Sequence, residues 1–170
     1  LDYEKNMRNA AMNEMEQFEV YYQPIVDITK EGNPCSGAEA LVRWKNPELG
    51  FISPDKFIPA LEETGLVSKL DMYVFTETHA FIKKRIEAGK FIVPVSTNLS
   101  WMDFYDETIM NWLEKKCADT SMPSGLCRME ITETSYAAIE ADRSATLEAL
   151  REAGILLLLD DFGSGYSSFG

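Results

Sequence analysis

The first regular element that the hydrophobic pattern predicts is a β-hairpin near the start of the chain. Residues 18–26 are rich in aromatic and β-branched side chains, which favour a strand. Residues 38–45 form a second such run, and the link between them, residues 27–37, is rich in turn residues. Two parallel strands need a crossover of about a dozen residues or more, and this link is too short to contain one. We therefore predict that the first two strands are antiparallel.

Beyond the hairpin, segments with helical spacing of apolar residues alternate with short strand-like runs. Ser53 and Pro54 form a good N-cap and first-turn pair. The predicted helices cover 53–65, 67–89, 106–118 and 141–153, and the predicted strands cover 92–98, 127–132 and 155–159. This order implies a parallel sheet with helical crossovers. A doubly wound sheet and a (β/α) barrel both fit it, although about five strands are too few for a closed eight-stranded barrel.

The last apolar run is the most informative one. Residues 155–159 are an unbroken apolar stretch between Gly154 and the pair Asp160-Asp161. Such a run is typical of a strand that is buried on both faces. Two adjacent carboxylates at its end are costly unless something neutralises them.

Composition excludes some functions. The chain has 170 residues and a formal net charge of −12, so its surface repels DNA, RNA and anionic membranes. No apolar run approaches the length of a membrane span, and no signal peptide opens the sequence. The three cysteines are odd in number and widely spaced, which favours reduced thiols.

Metal-capable side chains lie at or near the ends of four predicted strands. In parallel α/β architectures, catalytic groups gather at the carboxyl ends of strands. Taken singly, each residue has an ordinary explanation, such as a solvated strand face or a turn. Taken together they do not, because buried acids among apolar neighbours are very destabilising without a cation. We therefore predict a site for Mg²⁺, Mn²⁺ or Ca²⁺ formed from Glu39, Asn98, Glu130, Asp160 and Asp161.

Six segments follow one another in a fixed order from about residue 18 to the end of the chain. They are Tyr22-Gln23-Pro24-Ile25-Val26, Glu39-Ala40-Leu41-Val42-Arg43-Trp44, Phe57-Ile58-Pro59, Asn98-Leu99-Ser100, Glu130-Ile131-Thr132-Glu133 and Asp160-Asp161-Phe162-Gly163-Ser164-Gly165-Tyr166-Ser167-Ser168. In order and spacing they resemble the EAL domain family. The resemblance implies a metal-dependent phosphodiesterase that linearises cyclic di-GMP, a bacterial second messenger. It also implies an α/β fold, a modified (β/α)8 TIM-type barrel with an antiparallel first strand, of which about five strands are present here.

The resemblance assigns metal roles to matching residues. Glu39, Asn98, Glu130 and Asp160 match the ligands of one divalent ion, Mg²⁺ or Mn²⁺. Asp160 bridges to a second ion, which Asp161 also binds. Two such ions lie about 3.5–4 Å apart and together clamp a phosphate and activate a water.

The resemblance also assigns roles around the metals. Gln23 and Arg43 match substrate contacts, and an arginine fork suits a phosphate or a guanine edge. Arg43 has a second explanation as the partner of a neighbouring carboxylate, and Gln23 as a residue that bonds the backbone. Glu133 matches an acid that steadies the loop Phe162–Ser168, which in the family couples dimerisation to metal binding.

The predicted domain organisation follows from the same resemblance. Residues 2–17, with Met7, Ala11 and Met15 on one stripe, suggest a helix. We interpret residues 1–17 as a linker helix and residues 18–170 as the N-terminal part of an EAL domain. The implied partners are cyclic di-GMP, a second copy of the domain, and an upstream GGDEF or sensory domain, in the cytoplasm.

The chain departs from the family pattern in two places. The pattern continues with a Lys-x-Asp strand and two further strands with site residues, which do not occur in these 170 residues. We therefore expect little activity from the chain by itself. Residues 101–108 also carry extra acids near the presumed mouth of the site, which bears on substrate affinity.

Three functional hypotheses remain at this point. The first is a cyclic di-GMP phosphodiesterase. The second is a catalytically silent EAL module that binds cyclic di-GMP or a protein partner. The third is an unrelated (β/α) metal hydrolase.

Overall fold

The computed structural model describes residues 15–118 and 122–160. Within them, one mixed sheet is combined with four α-helices and a short 3₁₀-helix. The strands are β1 (Phe18–Val26), β2 (Cys35–Asn46), β3 (Gly50–Ile52), β4 (Val95–Asn98), β5 (Cys127–Thr132) and β6 (Leu156–Asp160). The helices are α1 (Pro54–Glu63), α2 (Val67–Glu87), the 3₁₀-helix (Trp101–Tyr105), α3 (Glu107–Cys117) and α4 (Glu133–Glu152).

The strand order confirms the antiparallel hairpin and the parallel crossovers. The sheet runs β1-β2-β4-β5-β6, and β3 pairs with the far end of β2. β1 and β2 are antiparallel, whereas β2, β4, β5 and β6 are mutually parallel. The described part of the chain is therefore an incomplete (β/α) barrel whose first strand is reversed.

The helices cover one face of the sheet. Around β1 and β2, the buried rings of Phe18, Trp44 and Phe57 pack together, with the Phe18 and Trp44 centroids 5.6 Å apart. Around β5, Met129 and Ile131 pack against buried residues of α3 and α4. The opposite face carries the alternate side chains of each strand, because successive side chains of a strand point to opposite sides. We call this uncovered surface the open face.

Several element boundaries differ from the predicted ones for physical reasons. β4 begins at Val95 rather than at residue 92, and Pro94, which has no N–H to donate to a ladder, directly precedes it. α4 begins at Glu133, eight residues before the predicted start at 141. The Thr132 hydroxyl caps it by accepting from the Ser135 N–H, and a kink at Arg143 divides the helix. The sequence pattern had revealed only the part around and after the kink.

The prediction that residues 155–159 form a strand buried on both faces is wrong. β6 is the last strand of the described sheet and pairs only with β5. Leu156 and Leu159 are 45% and 44% exposed. An apolar run indicates that a strand needs to be buried. In the described sheet, β6 has a neighbouring strand on one side only, and complete burial requires one on each side.

The predicted helix over residues 2–17 is corrected at its end. Residues 15–17 form a turn, and Met15 has a positive φ of 60°, which no α-helical residue adopts. Residues 1–14 lie outside the described residues. In the turn, the Gln17 side chain accepts a hydrogen bond of 2.9 Å from the Trp44 Nε1–H, so this segment is fixed to the core.

Candidate functional site

The strand registers place the predicted site residues on the open face. Gln23 is paired with Glu39 across β1 and β2, and Asn98 is paired with Glu130 across β4 and β5. Asp160 pairs with Thr132, two positions beyond Glu130. Paired residues of neighbouring strands share a face, and residues two apart share it as well. Five strands therefore bring their polar side chains to one side of the sheet, away from the helices.

Glu39 and Asn98 are in direct contact. The Asn98 Nδ2 donates a hydrogen bond of 3.1 Å to the Glu39 Oε1, although the two residues are 59 positions apart in sequence. The bond uses the donor end of the amide and one carboxylate oxygen. The carbonyl oxygen of Asn98 and the second oxygen of Glu39 are not used by this bond.

Glu130 lies among further acids. Burial raises the pKa of its carboxyl group, the Ser96 hydroxyl lowers it by hydrogen bonding, and the charges of Glu39 and Asp160 raise it. Electrostatic effects of this kind require short separations. Glu39 and Asp160 therefore lie near enough to Glu130 for their charges to act on it, and the repulsion that they exert on Glu130 is part of the site.

The donor set fits a hard divalent cation. Every candidate ligand offers oxygen, the donor that Mg²⁺, Mn²⁺ and Ca²⁺ prefer, and the converging negative charge is what a cation would offset. As the side chains stand, residues 15–118 and 122–160 contain no group of three His, Cys, Asp or Glu residues arranged to hold a metal ion. Asp161, predicted as a further ligand, lies outside the described residues. The fit is therefore one of donor chemistry and charge, and it stays a prediction for the individual ligands.

Arg43 and Gln23 flank the acids. Gln23 is exposed directly opposite Glu39. The Arg43 Nη1 donates a 2.9 Å hydrogen bond to the Val42 carbonyl, and the described residues contain no carboxylate in ion-pair contact with it. Arg43 also lines a cavity of about 340 Å³ that reaches Asn98 and Ser100. The guanidinium thus lies near the site, with Glu19 as the residue paired with Arg43 across β1 and β2, and the role of Arg43 as a substrate contact stays a prediction.

Glu133 stands where the strand that carries Glu130 becomes a helix. It is the first residue of α4, directly after the Thr132 cap, and it is partly buried. The loop Phe162–Ser168, which it was predicted to steady, lies outside the described residues. Its role therefore stays a prediction.

Sequence reasoning missed one residue of the site and misplaced another. Ser96 lies next to the acids, and its spacing of two from Asn98 within the predicted strand was the signal that could have found it. Asp103, expected near the mouth among the acids of residues 101–108, is instead completely buried. A buried acid in a polar segment has no signature in the hydrophobic pattern.

The described residues form an incomplete (β/α) barrel with a reversed first strand, and acids from several of its strands share the open face. Comparison with known families gives a specific result. The family model described as EAL domain matches residues 5–170. The chain belongs to the EAL domain family.

Individual relatives agree. The MucR protein of Pseudomonas aeruginosa, a bifunctional diguanylate cyclase/cyclic di-GMP phosphodiesterase, is 32% identical over 156 residues, which are 91% of this chain and 22% of MucR. The chain covers between 18% of one curated relative and 38% of another, well under two thirds of their lengths.

Solved structures match across almost the whole chain. The PaMucR phosphodiesterase in complex with c-di-GMP matches with a TM-score of 0.79 at 28% identity. The match covers 97% of this chain and 66% of the PaMucR chain. The FimX EAL domain matches with a TM-score of 0.82 at 19% identity, over 99% of this chain and 66% of the FimX chain. Because the identity is so low, this match supports the fold alone. In the part of the chain that the structure describes, no helix is long and apolar enough to cross a membrane.

Proposed function

We propose that the protein containing this chain hydrolyses cyclic di-GMP to linear pGpG. The observation that carries this proposal is that Glu39, Asn98, Glu130 and Asp160 share one face of the sheet of an EAL fold, with Asn98 bonded to Glu39 and the charges of Glu39 and Asp160 acting on Glu130. Membership of the family and the cyclic di-GMP phosphodiesterase activity named for MucR support the same conclusion.

The proposed site divides into a metal side and a substrate side. Glu39, Asn98, Glu130 and Asp160 would hold one divalent ion, Mg²⁺ or Mn²⁺, and Asp160 and Asp161 a second. When bound, such ions supply Lewis-acid stabilisation of the phosphate and a water acidic enough to attack at neutral pH.

The remaining residues would bind and orient the substrate. The planar guanidinium of Arg43 can pair with a phosphate or a guanine edge through two parallel hydrogen bonds. The exposed amide of Gln23, opposite Glu39, can donate to and accept from the same substrate. Glu133, at the junction of β5 and α4, would steady the segment that follows Asp160.

The proposed partners follow from the proposed activity. They are cyclic di-GMP, a second EAL domain in a homodimer, and an upstream GGDEF or sensory domain joined through residues 1–17. The bifunctional activity named for MucR supports the GGDEF association. A cytoplasmic location rests on the proposed substrate, which is an intracellular messenger. The net charge of −12 argues against DNA or RNA as partners.

The test is hydrolysis by the full-length protein. Purified protein is incubated with cyclic di-GMP and Mg²⁺ or Mn²⁺, and cyclic and linear products are separated by chromatography. We expect pGpG to accumulate with metal and not with EDTA. Calorimetric binding of cyclic di-GMP without any linear product would reject the enzyme and support the silent binding module. We expect the 170-residue chain by itself to show little turnover, because β6 is the last strand of the sheet within the described residues and pairs there only with β5.

Metal binding gives an independent prediction. Divalent metal at about a hundredfold above its Kd should stabilise the native state by about 2.7 kcal/mol and raise the Tm by about 5–10 °C. The cause is that the cation offsets repulsion among Glu39, Glu130 and Asp160. Differential scanning fluorimetry of EDTA-treated protein, with Mg²⁺ or Mn²⁺ added back, measures the shift.

Glu130→Gln provides the matched test. It should remove most of the metal-induced shift while raising the Tm of the metal-free protein at pH 7. The pKa of Glu130 is raised in the native state. Ionised Glu130 therefore lowers the free energy of unfolding at pH values above the usual glutamate range. The destabilisation disappears at low pH, where Glu130 is protonated in both the native and the unfolded state. The exposed Glu148→Gln should behave like the wild type. An unchanged metal shift in Glu130→Gln would exclude Glu130 as a ligand.

A further inference from the structure

Two acids face each other in the interior, behind the segment that carries Asn98. Asp71 is on α2 and Asp103 is in the 3₁₀-helix. Asp103 is 0% exposed, and neither of its carboxylate oxygens accepts a well-formed hydrogen bond from the described residues. The Asp71 Oδ2 accepts one, of 2.9 Å, from the Ser100 N–H. Asp71 also lines the cavity that Arg43 and Asn98 line, but neither acid is among the proposed metal ligands or substrate contacts.

The surroundings oppose a full negative charge on both groups. Burial raises the pKa of Asp71 well above its usual range, and the charge of Asp103 raises it further. Glu62, from α1, also raises it, and only the Ser100 N–H acts in the other direction. Two carboxylates that share a buried space cannot both ionise at ordinary cost.

The groups around Asp103 lead to the same conclusion. Burial raises the pKa of Asp103, the neighbouring polar groups of Asp71, Ser68 and Ser100 lower it, and the charge of Asp106 raises it. The other charged groups that act on the pair, Glu62 and Asp106, are themselves acids. Carboxylates only accept hydrogen bonds, so a bond between Asp71 and Asp103 requires a proton on one of them. That proton supplies the partner that the buried oxygens of Asp103 otherwise lack.

The pair supports a short segment with contacts on both sides. Asn98 bonds Glu39, the Leu99 N–H donates a 2.9 Å bond to the Glu130 carbonyl, and the Ser100 N–H donates to Asp71. The first two bonds attach residues 98–100 to the site strands. The third attaches them to α2 through a carboxyl group whose orientation depends on Asp103.

We propose that Asp71 and Asp103 share one proton and act as positioning residues, which hold residues 98–100 against α2 so that Asn98 stays beside Glu39. The positioning role rests on the proposed function of Asn98, whereas the shared proton does not.

The arrangement makes the segment sensitive to pH. The native pair keeps a proton at pH values where two unfolded aspartates have none, so unfolding releases it. Stability therefore falls as pH rises from the usual aspartate range through the titration of the pair.

Infrared spectroscopy tests the shared proton directly. A protonated carboxyl group absorbs apart from a carboxylate, and we expect such a band in the wild type at pH 7. Asp103→Asn should lose this band, because the amide donates to Asp71 and no proton is needed. Glu77→Gln should keep the band, since it replaces an exposed acid on α2, the helix that carries Asp71. A wild-type titration without any carboxyl band above pH 6 would overturn the proposal, and this measurement needs no variant to fold.

Amide exchange at Ser100 tests the positioning role. In the wild type, the Ser100 protection factor, corrected for the intrinsic exchange rate, should fall by up to about tenfold per pH unit from the usual aspartate range through the titration of the pair, and should level off above it. In Asp103→Asn it should be independent of pH, since the hydrogen bond no longer requires a proton. A wild-type protection factor that does not change between pH 6 and 9 would overturn the role.

The activity profile separates this inference from the proposed function. If the full-length protein hydrolyses cyclic di-GMP, Asp103→Asn should move the alkaline decline of kcat and leave KM nearly unchanged. An identical decline in the wild type and the variant would contradict the positioning role. If the protein has no hydrolytic activity at all, the proposed function fails, while the infrared and exchange results still decide whether the proton is shared.

Discussion

Glu39→Gln in the full-length protein should lower kcat/KM for cyclic di-GMP hydrolysis at least about a hundredfold. Removing a residue that only holds a metal ligand in place already lowers metal affinity or activity by about 10- to 100-fold. Glutamine keeps the size of the side chain and an oxygen that can accept from Asn98. It loses the negative charge, and with it most of the attraction for a divalent cation. The loss of activity should therefore be accompanied by weaker metal binding rather than by unfolding. Initial rates over a range of substrate and metal concentrations give both quantities.

The control for this substitution is Glu48→Gln. Glu48 is exposed in the turn after β2, the strand that carries Glu39, so the chemical change is the same and the site is not involved. Its kcat/KM should stay within about twofold of the wild type, since surface changes of this kind have small effects. Circular dichroism of both variants confirms folding. Wild-type turnover and metal affinity in Glu39→Gln would remove Glu39 from the ligand set.

Trp44→Ala should lower the free energy of unfolding by about 3–5 kcal/mol. Trp44 is completely buried where β1, β2 and α1 meet, and its ring packs against Phe18 and Phe57 at centroid distances of 5.6 and 5.8 Å. Truncation leaves a cavity. It also removes the Nε1–H that donates a hydrogen bond to the side-chain oxygen of Gln17. Urea denaturation followed by circular dichroism measures the loss.

Trp101→Ala is the matched control. Trp101 is 51% exposed in the 3₁₀-helix, and its ring meets Tyr105 edge-on at 5.9 Å. The same chemical change there should cost less than about 1 kcal/mol. Because a loss of 5 kcal/mol approaches the whole stability of many domains, Trp44→Phe serves as an intermediate that keeps a ring in the core. Equal losses at positions 44 and 101 would show that the buried aromatic cluster is not the main support of the hairpin.

The sequence by itself determined the hairpin and the parallel crossovers, and it predicted which acids form the site. β1 lies at residues 18–26 as predicted, because its aromatic and β-branched run and the short turn-rich link are local signals. Asn98, Glu130 and Asp160 could be predicted as ligands because each lies at or near the end of its strand, and parallel strands end at the same edge of a sheet. Glu39 lies inside the longer β2, and its role, like theirs, stays a prediction. Local patterns of this kind depend only on a residue and its near neighbours in the chain.

Tertiary structure alone decided burial and pairing across the chain. The apolar run of β6 gave no sign that the strand would stand at an edge, because burial depends on neighbours and not on the strand itself. Nothing in residues 71 and 103 indicated that two aspartates 32 positions apart would meet in the interior, since each lies in a segment with ordinary polar residues. Charge interactions depend on distance in space, and only the tertiary fold brings Asp71 of α2 and Asp103 of the 3₁₀-helix within reach of each other.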